Sequence, residues 1–269
     1  MQPMTTLAVA AGVGLLSGTH TAIWGMYKDA VHEGFTVRTF ARSIVVGAVV
    51  AVLIQLAFRL PIPQAGALVL LFGLAYAGER GIVEVWKTFF RDEDQSKYFI
   101  PMQFAIGGEP VQSRATRIAV GIAYIIVVSG ALYGISRLDF ARDATPSRVT
   151  AALVGFAVGI VIAIGGGWKD APKEGFDLLK FFRSPVLTVI YSVLLSFFTD
   201  SYLLMACASI GFERATAETY KTFFFPSKPR GKFSGKPILF PDMLHHRQYF
   251  VPVYVAIWAA VLVCVSMAI

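Results

Sequence analysis

Sixteen charged residues of this chain stand in two matched sets. Residues 27–43 read YKDAVHEGFTVRTFARS and residues 168–184 read WKDAPKEGFDLLKFFRS, identical at nine of 17 positions at an offset of 141. Further on, ERGIVEVWKTFF at 79–90 matches ERATAETYKTFF at 213–224, with seven of 12 identical at an offset of 134. Lys28, Asp29, Glu33 and Arg42 therefore recur as Lys169, Asp170, Glu174 and Arg183. Glu79, Arg80, Glu84 and Lys87 recur as Glu213, Arg214, Glu218 and Lys221. Self-similarity at a fixed offset marks an internal repeat.

The residue types point to three kinds of chemistry. Asp29 with Glu33, and Asp170 with Glu174, are four apart, so each pair shares a face wherever the helix persists; Pro172 argues against that in the second copy. Four such carboxylates near a twofold axis suit Mg²⁺ or another hard cation, and a divalent cation is the one cofactor they suggest. Lys28, Arg42 and Ser43, with Lys169, Arg183 and Ser184, surround what reads as a helix start and suit a phosphate or lipid head group. The competing structural reading is a set of interfacial salt bridges that clamp the loop, and a substrate gate is a third.

In the second motif Arg80 and Glu84, and Arg214 and Glu218, are i, i+4 pairs that neutralise one another on one helix. Glu79 and Glu213 have no such local partner. Counting back from Lys87 at about 1.5 Å per residue puts Glu79 about 12 Å inside the hydrocarbon. A carboxylate there is either protonated or faces water and a cation, which serves cation or proton-coupled transport. The structural alternative is a bond to Arg across the repeat interface.

These residues must be held by membrane helices. Only 15% of the 269 residues are charged and 56% are hydrophobic, against about 25% charged in soluble proteins, and the mean hydropathy is +0.63. This excludes a disordered chain, a disulfide scaffold and a cytosolic two-domain enzyme, and Cys207 and Cys264, both within apolar runs, frame neither a disulfide nor a metal site. Eight segments approach the length of a spanning helix, near 4–26, 43–60, 65–88, 115–136, 149–168, 185–199, 201–222 and 249–268. The expected fold is all-α, a polytopic bundle of about eight transmembrane helices. The first run lacks a basic n-region and reads as a retained helix, not a signal peptide. Each loop motif reads as a helix ending near Lys28 or Lys169, a turn at Gly34 or Gly175, and a short amphipathic piece carrying Phe35 and Phe40, or Phe176 and Phe181. Ser43 and Ser184 then cap the next span, with Pro185 at its first position.

Eighteen Lys and Arg fall in connections or in the span turns next to them on one side, Lys87, Arg117 and Lys221 being the three at span ends, and four on the other. The positive-inside rule makes the first side cytoplasmic, with both termini extracytoplasmic in a plasma (inner) membrane. The chain divides into four-helix repeats at 1–140 and 141–269, parallel in orientation and related by a pseudo-twofold along the membrane normal. No basic soluble domain remains to bind nucleic acid. His20 reads as a polar residue satisfied between helices, and His245 and His246 as residues of a wet interface. The basic stretch PSKPRGKFSGKP at 226–237 reads as resting on anionic lipid or a partner.

Three functions fit. The first is a transporter or channel for an ion or small charged solute, using Glu79 and Glu213 as paired carboxylates. The second is a membrane enzyme acting with a divalent metal on a lipid-linked phosphate or pyrophosphate; Thr36 standing where the second copy has Asp177 weakens it. The third is a structural, lipid-binding or pigment-binding subunit of a larger complex. The expected partners are membrane lipids, anionic lipid on the cytoplasmic side, and partner subunits or a second copy.

Overall fold

In hydrocarbon the backbone N–H and C=O groups have only each other as partners, so an apolar run long enough to cross becomes a helix. The computed structural model describes residues 3–140, 147–225 and 231–269. Its long helices are α1 (Pro3–Glu33), α2 (Val37–Phe58), α3 (Ala65–Val85), α4 (Arg114–Phe140), α5 (Arg148–Glu174), α6 (Leu178–Leu195) and α7 (Tyr202–Phe223). The single turn α8 (Met243–His246) then leads into α9 (Val251–Ala268). A π-helical turn, Trp86–Phe90, extends α3, and a two-stranded antiparallel hairpin pairs Ala105–Ile106 with Glu109–Pro110. The boundary expected at 140/141 touches residues outside those described.

Seven of the helices are long and apolar enough to cross a membrane, so the protein is a helical membrane bundle. The eighth expected span, α7, misses that criterion. It is 22 residues long, but Glu213, Arg214, Glu218 and Lys221 lower its hydropathy, and it lies buried against α3, α6 and α5.

Close packing rests on glycines at the helix crossings. A Cβ added to Gly14 would sit 2.7 Å from Ala51 Cβ, and one on Gly18 would sit 2.6 Å from Ile44 Cα, so α1 and α2 meet backbone to backbone. Between α5 and α6, a Cβ on Gly155 would sit 2.7 Å from the Thr188 carbonyl oxygen and one on Gly159 2.8 Å from Pro185 N. These two GxxxG pairs stand 141 residues apart, the offset of the loop motif. At the centre α3 crosses α7, where a Cβ on Gly73 would lie 2.9 Å from the Ala208 carbonyl oxygen. Leu71, Tyr76, Met205 and Ala208 are fully enclosed there. Outside this core, α4 leans on α7 and the end of α3, while α9 covers α3 and α1. Asp139 of α4 accepts hydrogen bonds from Ser201 Oγ (2.7 Å) and Tyr202 N (2.6 Å), satisfying the first turn of α7.

The loop motif departs from expectation in one respect. Both helices run on through it, α1 to Glu33 and α5 through Pro172 to Glu174, before Gly34 (φ 77°) and Gly175 (φ 81°) reverse the chain. The next helices begin at once, at Val37 and Leu178. Ser43 and Ser184 are therefore not N-caps; they are buried inside α2 and α6, nearly two turns from the start. The residues between, VRTFAR and LLKFFR, contain no glycine or proline to delay the helix, and Asp177 caps Leu179 and Lys180 through their backbone N–H groups. The amphipathic piece is the first part of the span itself.

Replacing Gly18 or Gly159 with leucine would overfill its crossing. Each variant is expected to lose about 1–3 kcal/mol of stability, read as earlier thermal unfolding in detergent, whereas Gly130→Leu, on an open face of α4, leaves unfolding unchanged.

Candidate functional site

The two copies of the motif build two cavities at the loop end of the bundle. The first, about 170 Å³, lies against the ends of α5, α6 and α7, with α1 and α3 completing the wall. The second, about 290 Å³, lies against the ends of α1, α2 and α3 and residues 91–98. They are lined at equivalent repeat positions: Asp170, Phe181, Arg183, Ser184, Arg214 and Lys221 in the first, and Asp29, Phe40, Arg42, Ser43, Arg80 and Lys87 in the second. Positive charge prevails in both. Nine Lys and Arg against five Asp and Glu line the first cavity, and six against three line the second, so each favours an anion.

Ion pairs fix the walls. Arg80 pairs with Glu84, and Arg214 with Glu218 at 3.5 Å, as the i, i+4 spacing predicts. Each glutamate also faces a lysine from the other copy: Lys28 Nζ lies 3.7 Å from Glu218 and Lys169 Nζ 4.0 Å from Glu84. Lys221 adds a contact to Glu218 at 3.9 Å. Thus α1 is tied to α7, and α5 to α3, by matching pairs. Lys28 and Lys169 stand in the wall of the first cavity while holding these carboxylates.

Arg42 and Arg183 behave differently. The Nε of each is buried with no hydrogen-bond partner, and neither guanidinium forms a salt bridge among the described residues. Each copy therefore presents to its cavity one guanidinium with no carboxylate within salt-bridge distance among the described residues. An oxyanion would supply the missing acceptors.

The four loop carboxylates are engaged by lysines. Lys180 Nζ lies 3.0 Å from Asp170 and 2.6 Å from Glu174, so the helical face through Pro172 does gather both. The first copy has Thr39 at the position of Lys180, and its lysine comes from far along the chain: Lys232 Nζ lies 2.9 Å from Asp29 and 3.4 Å from Glu33. Tyr98 donates its hydroxyl to Glu33 at 3.0 Å, and Phe233 beside Lys232 stacks on His32 at 4.4 Å between ring centroids. No group of three or more His, Cys, Asp or Glu suited to a metal ion is gathered among the described residues. Burial lowers the Lys232 ammonium pKa, but Asp29 and Glu33 outweigh it and hold the group above its ordinary value.

Glu79 and Glu213 lie deeper and are fully buried. Ser184 donates to one Glu213 oxygen at 2.7 Å, leaving the other without a partner. Neither oxygen of Glu79 accepts a hydrogen bond; its nearest cation is Arg80 on the same helix, at 3.9 Å. It is Glu84 and Glu218, not these two, that pair across the copies. His20 sits under the second cavity in an aromatic cluster: its ring stacks on Tyr254 (4.1 Å) and its Nδ1 lies 3.3 Å from the Tyr76 hydroxyl, which also accepts from Trp24 Nε1 at 2.7 Å. His245 and His246 are exposed, with His245 bonded to the Tyr249 hydroxyl at 2.9 Å. Of the basic stretch 226–237, residues 226–230 lie outside those described; the rest folds inward through Lys232, Phe233 and Lys236, which donates to the Ser96 carbonyl at 2.9 Å.

Sequence reasoning singled out the repeated charged residues of the lining but missed Lys180, Lys232 and Trp24, and in the second cavity Arg91, Glu93, Lys97 and Tyr98. Lys180 was legible as a lysine six residues after Glu174 in the next helix's first turn. Lys232 carries no local signal, because its partners lie about 200 positions away. Comparison with protein-family models, curated proteins and solved structures finds no match to this chain.

Lys232→Ala would leave Asp29 and Glu33 without their shared cation and is expected to cost about 1–2 kcal/mol. Adding Thr39→Lys, which recreates the second copy's arrangement, should restore most of that loss in thermal unfolding. Since the folded pKa of Lys232 is raised, its stabilisation is present below the ordinary value of 10.5 and lost as pH climbs beyond it. The gap in unfolding temperature between wild type and Lys232→Ala should accordingly stay constant from neutral pH to about pH 9 and close above about 10.5.

Proposed function

We propose that the chain is a membrane transporter for a small phosphate-bearing anion, held in the cationic cavities that the two repeats form. The observation that carries this reading is the guanidinium in each cavity, Arg42 and Arg183, whose buried Nε has no partner in the protein. Buried donors without acceptors are costly, and a bound oxyanion removes that cost at both sites. The two four-helix repeats, 1–140 and 141–269, are related by a pseudo-twofold that passes between α3 and α7. Equivalent lining of the two cavities and the reciprocal lysine–glutamate pairs support this symmetry. The cross-copy pairs act as the movable contacts: an anion drawn to Lys28 and Lys169 competes with Glu218 and Glu84 and loosens one repeat from the other. Glu79 and Glu213, deeper on the same helices, take up the proton that accompanies the anion. The cavities face the cytoplasm in an inner membrane, both termini face outward, and anionic lipid surrounds the basic loops.

This reading is favoured over metal-dependent catalysis on a lipid-linked phosphate because Lys180 and Lys232 already engage the carboxylates that a divalent cation would require.

Inorganic phosphate should bind the purified wild type, and Arg42→Gln with Arg183→Gln should weaken it at least about tenfold, the equivalent of one charge-assisted hydrogen bond. Proteoliposomes carrying the wild type should move inorganic phosphate or an alkyl phosphate across the bilayer faster than protein-free liposomes. Movement of neither, in proteoliposomes that hold folded protein, overturns transport.

A further inference from the structure

The two cavities differ at one edge. Where they continue along the preceding helix, the second is lined by Thr21, Trp24, Gly25 and Met26 of α1, and the first by Ile162, Gly166 and Gly167 of α5, with Gly165 beside them; Trp24 also reaches the wall of the first. At the offset of 141, Trp24, Gly25 and Met26 correspond to Gly165, Gly166 and Gly167. Trp24 and Met26 are buried in a wall that α9 covers. A Cβ on any of the three glycines would have no described atom within 4 Å; the same holds for Gly25, but Gly25 is half-buried between Trp24 and Met26 whereas Gly165 and Gly166 are exposed. The first cavity thus reaches, through Gly166 and Gly167, an exposed apolar strip of α5 that would meet lipid in a bilayer.

At the inner end of that strip the cavity is strongly cationic. Arg80, only 8% exposed, lines it with an Nε that has no partner, as does Arg183 with its own buried Nε. A polar, positively charged pocket that opens through a hydrocarbon-facing slot fits a molecule with both characters. We infer that the ligand of the first cavity is a single-chain lipid phosphate, its phosphate among Arg183, Arg80 and Lys169 and its chain laid along Gly165–Gly167. The repeat-equivalent second cavity, with Trp24 filling the same place, takes the phosphate without the chain. This rests on the anion reading given above and names the class of ligand for one of its two sites.

The test compares two affinities on the purified full chain in detergent, for dodecyl phosphate and for inorganic phosphate. The wild type should bind dodecyl phosphate at least about tenfold more tightly, since each buried methylene is worth a factor of about four in transfer from water. Gly166→Leu, which fills the strip while favouring the helix itself, should bring that ratio down towards one. Arg183→Gln should weaken dodecyl phosphate binding about tenfold or more. Equal affinities in the wild type, or a high ratio that Gly166→Leu leaves alone, overturns the lipid assignment while the anion reading stands. Lipid binding that Arg183→Gln does not change puts the head group elsewhere and overturns it too. Phosphatidic acid binding more tightly than dodecyl phosphate overturns the single-chain assignment. If neither phosphate binds, the anion reading falls and the inference falls with it.

Discussion

Two carboxylates near the loop end of a membrane bundle, Glu84 and Glu218, set the terms for everything around them. Glu218 is almost completely buried, and Glu84 is about two-thirds covered. Each is met from two directions: by an arginine one turn back on its own helix and by a lysine from the other copy of the motif. Removing one member of such a group leaves an uncompensated buried charge, which costs far more than the pair contributes when intact. The separation of α1 from α7 and of α5 from α3 is fixed at that end as a result. The cavities are the space left between helices so held, and their cationic character follows from having more Lys and Arg at the site than these carboxylates consume.

Much of this was legible in the residues. Hydrophobic length located the helices, although α1 runs seven residues past its expected end and α6 begins seven before its expected start, and the i, i+4 spacing of Arg80 with Glu84 and of Arg214 with Glu218 identified real pairs. The repeat singled out the charged side chains that stand at equivalent positions in the two cavities. What escaped has physical causes. Ser43 and Ser184 look like N-caps because serine before an apolar run usually is one, but the segment ahead of each has enough helix formers to extend the helix past it. The GxxxG pairs at Gly14 and Gly155 were masked by a glycine-rich chain in which small residues are common. Lys232 belongs to neither copy, and only the folded chain brings it to Asp29.

The two copies also show how one arrangement of charge is completed in different ways. Both retain the carboxylate pair; Lys180 alone bridges it in the second, whereas in the first Lys232 bridges it and Lys97 adds a contact to Glu33 at 3.4 Å. In one copy Lys180 sits a turn away; in the other Thr39 has that place and Lys232 arrives from the loop before α8. A similar divergence separates Trp24 from Gly165. What the copies share is a lysine placed between the two carboxylates, whereas the position that supplies it and the bulk beside it differ.

The outer helices cross over between the copies: α4 caps α7 through Asp139, and α9 covers α3 and α1. During synthesis this imposes an order. When α1, α2 and α3 enter the membrane, the aromatic cluster around His20, Trp24 and Tyr76 lacks Tyr254 and Trp258, because α9 has yet to be translated. These helices must therefore wait in the bilayer with that face against lipid or the insertion machinery, and they reach their final packing only after α9 has been made.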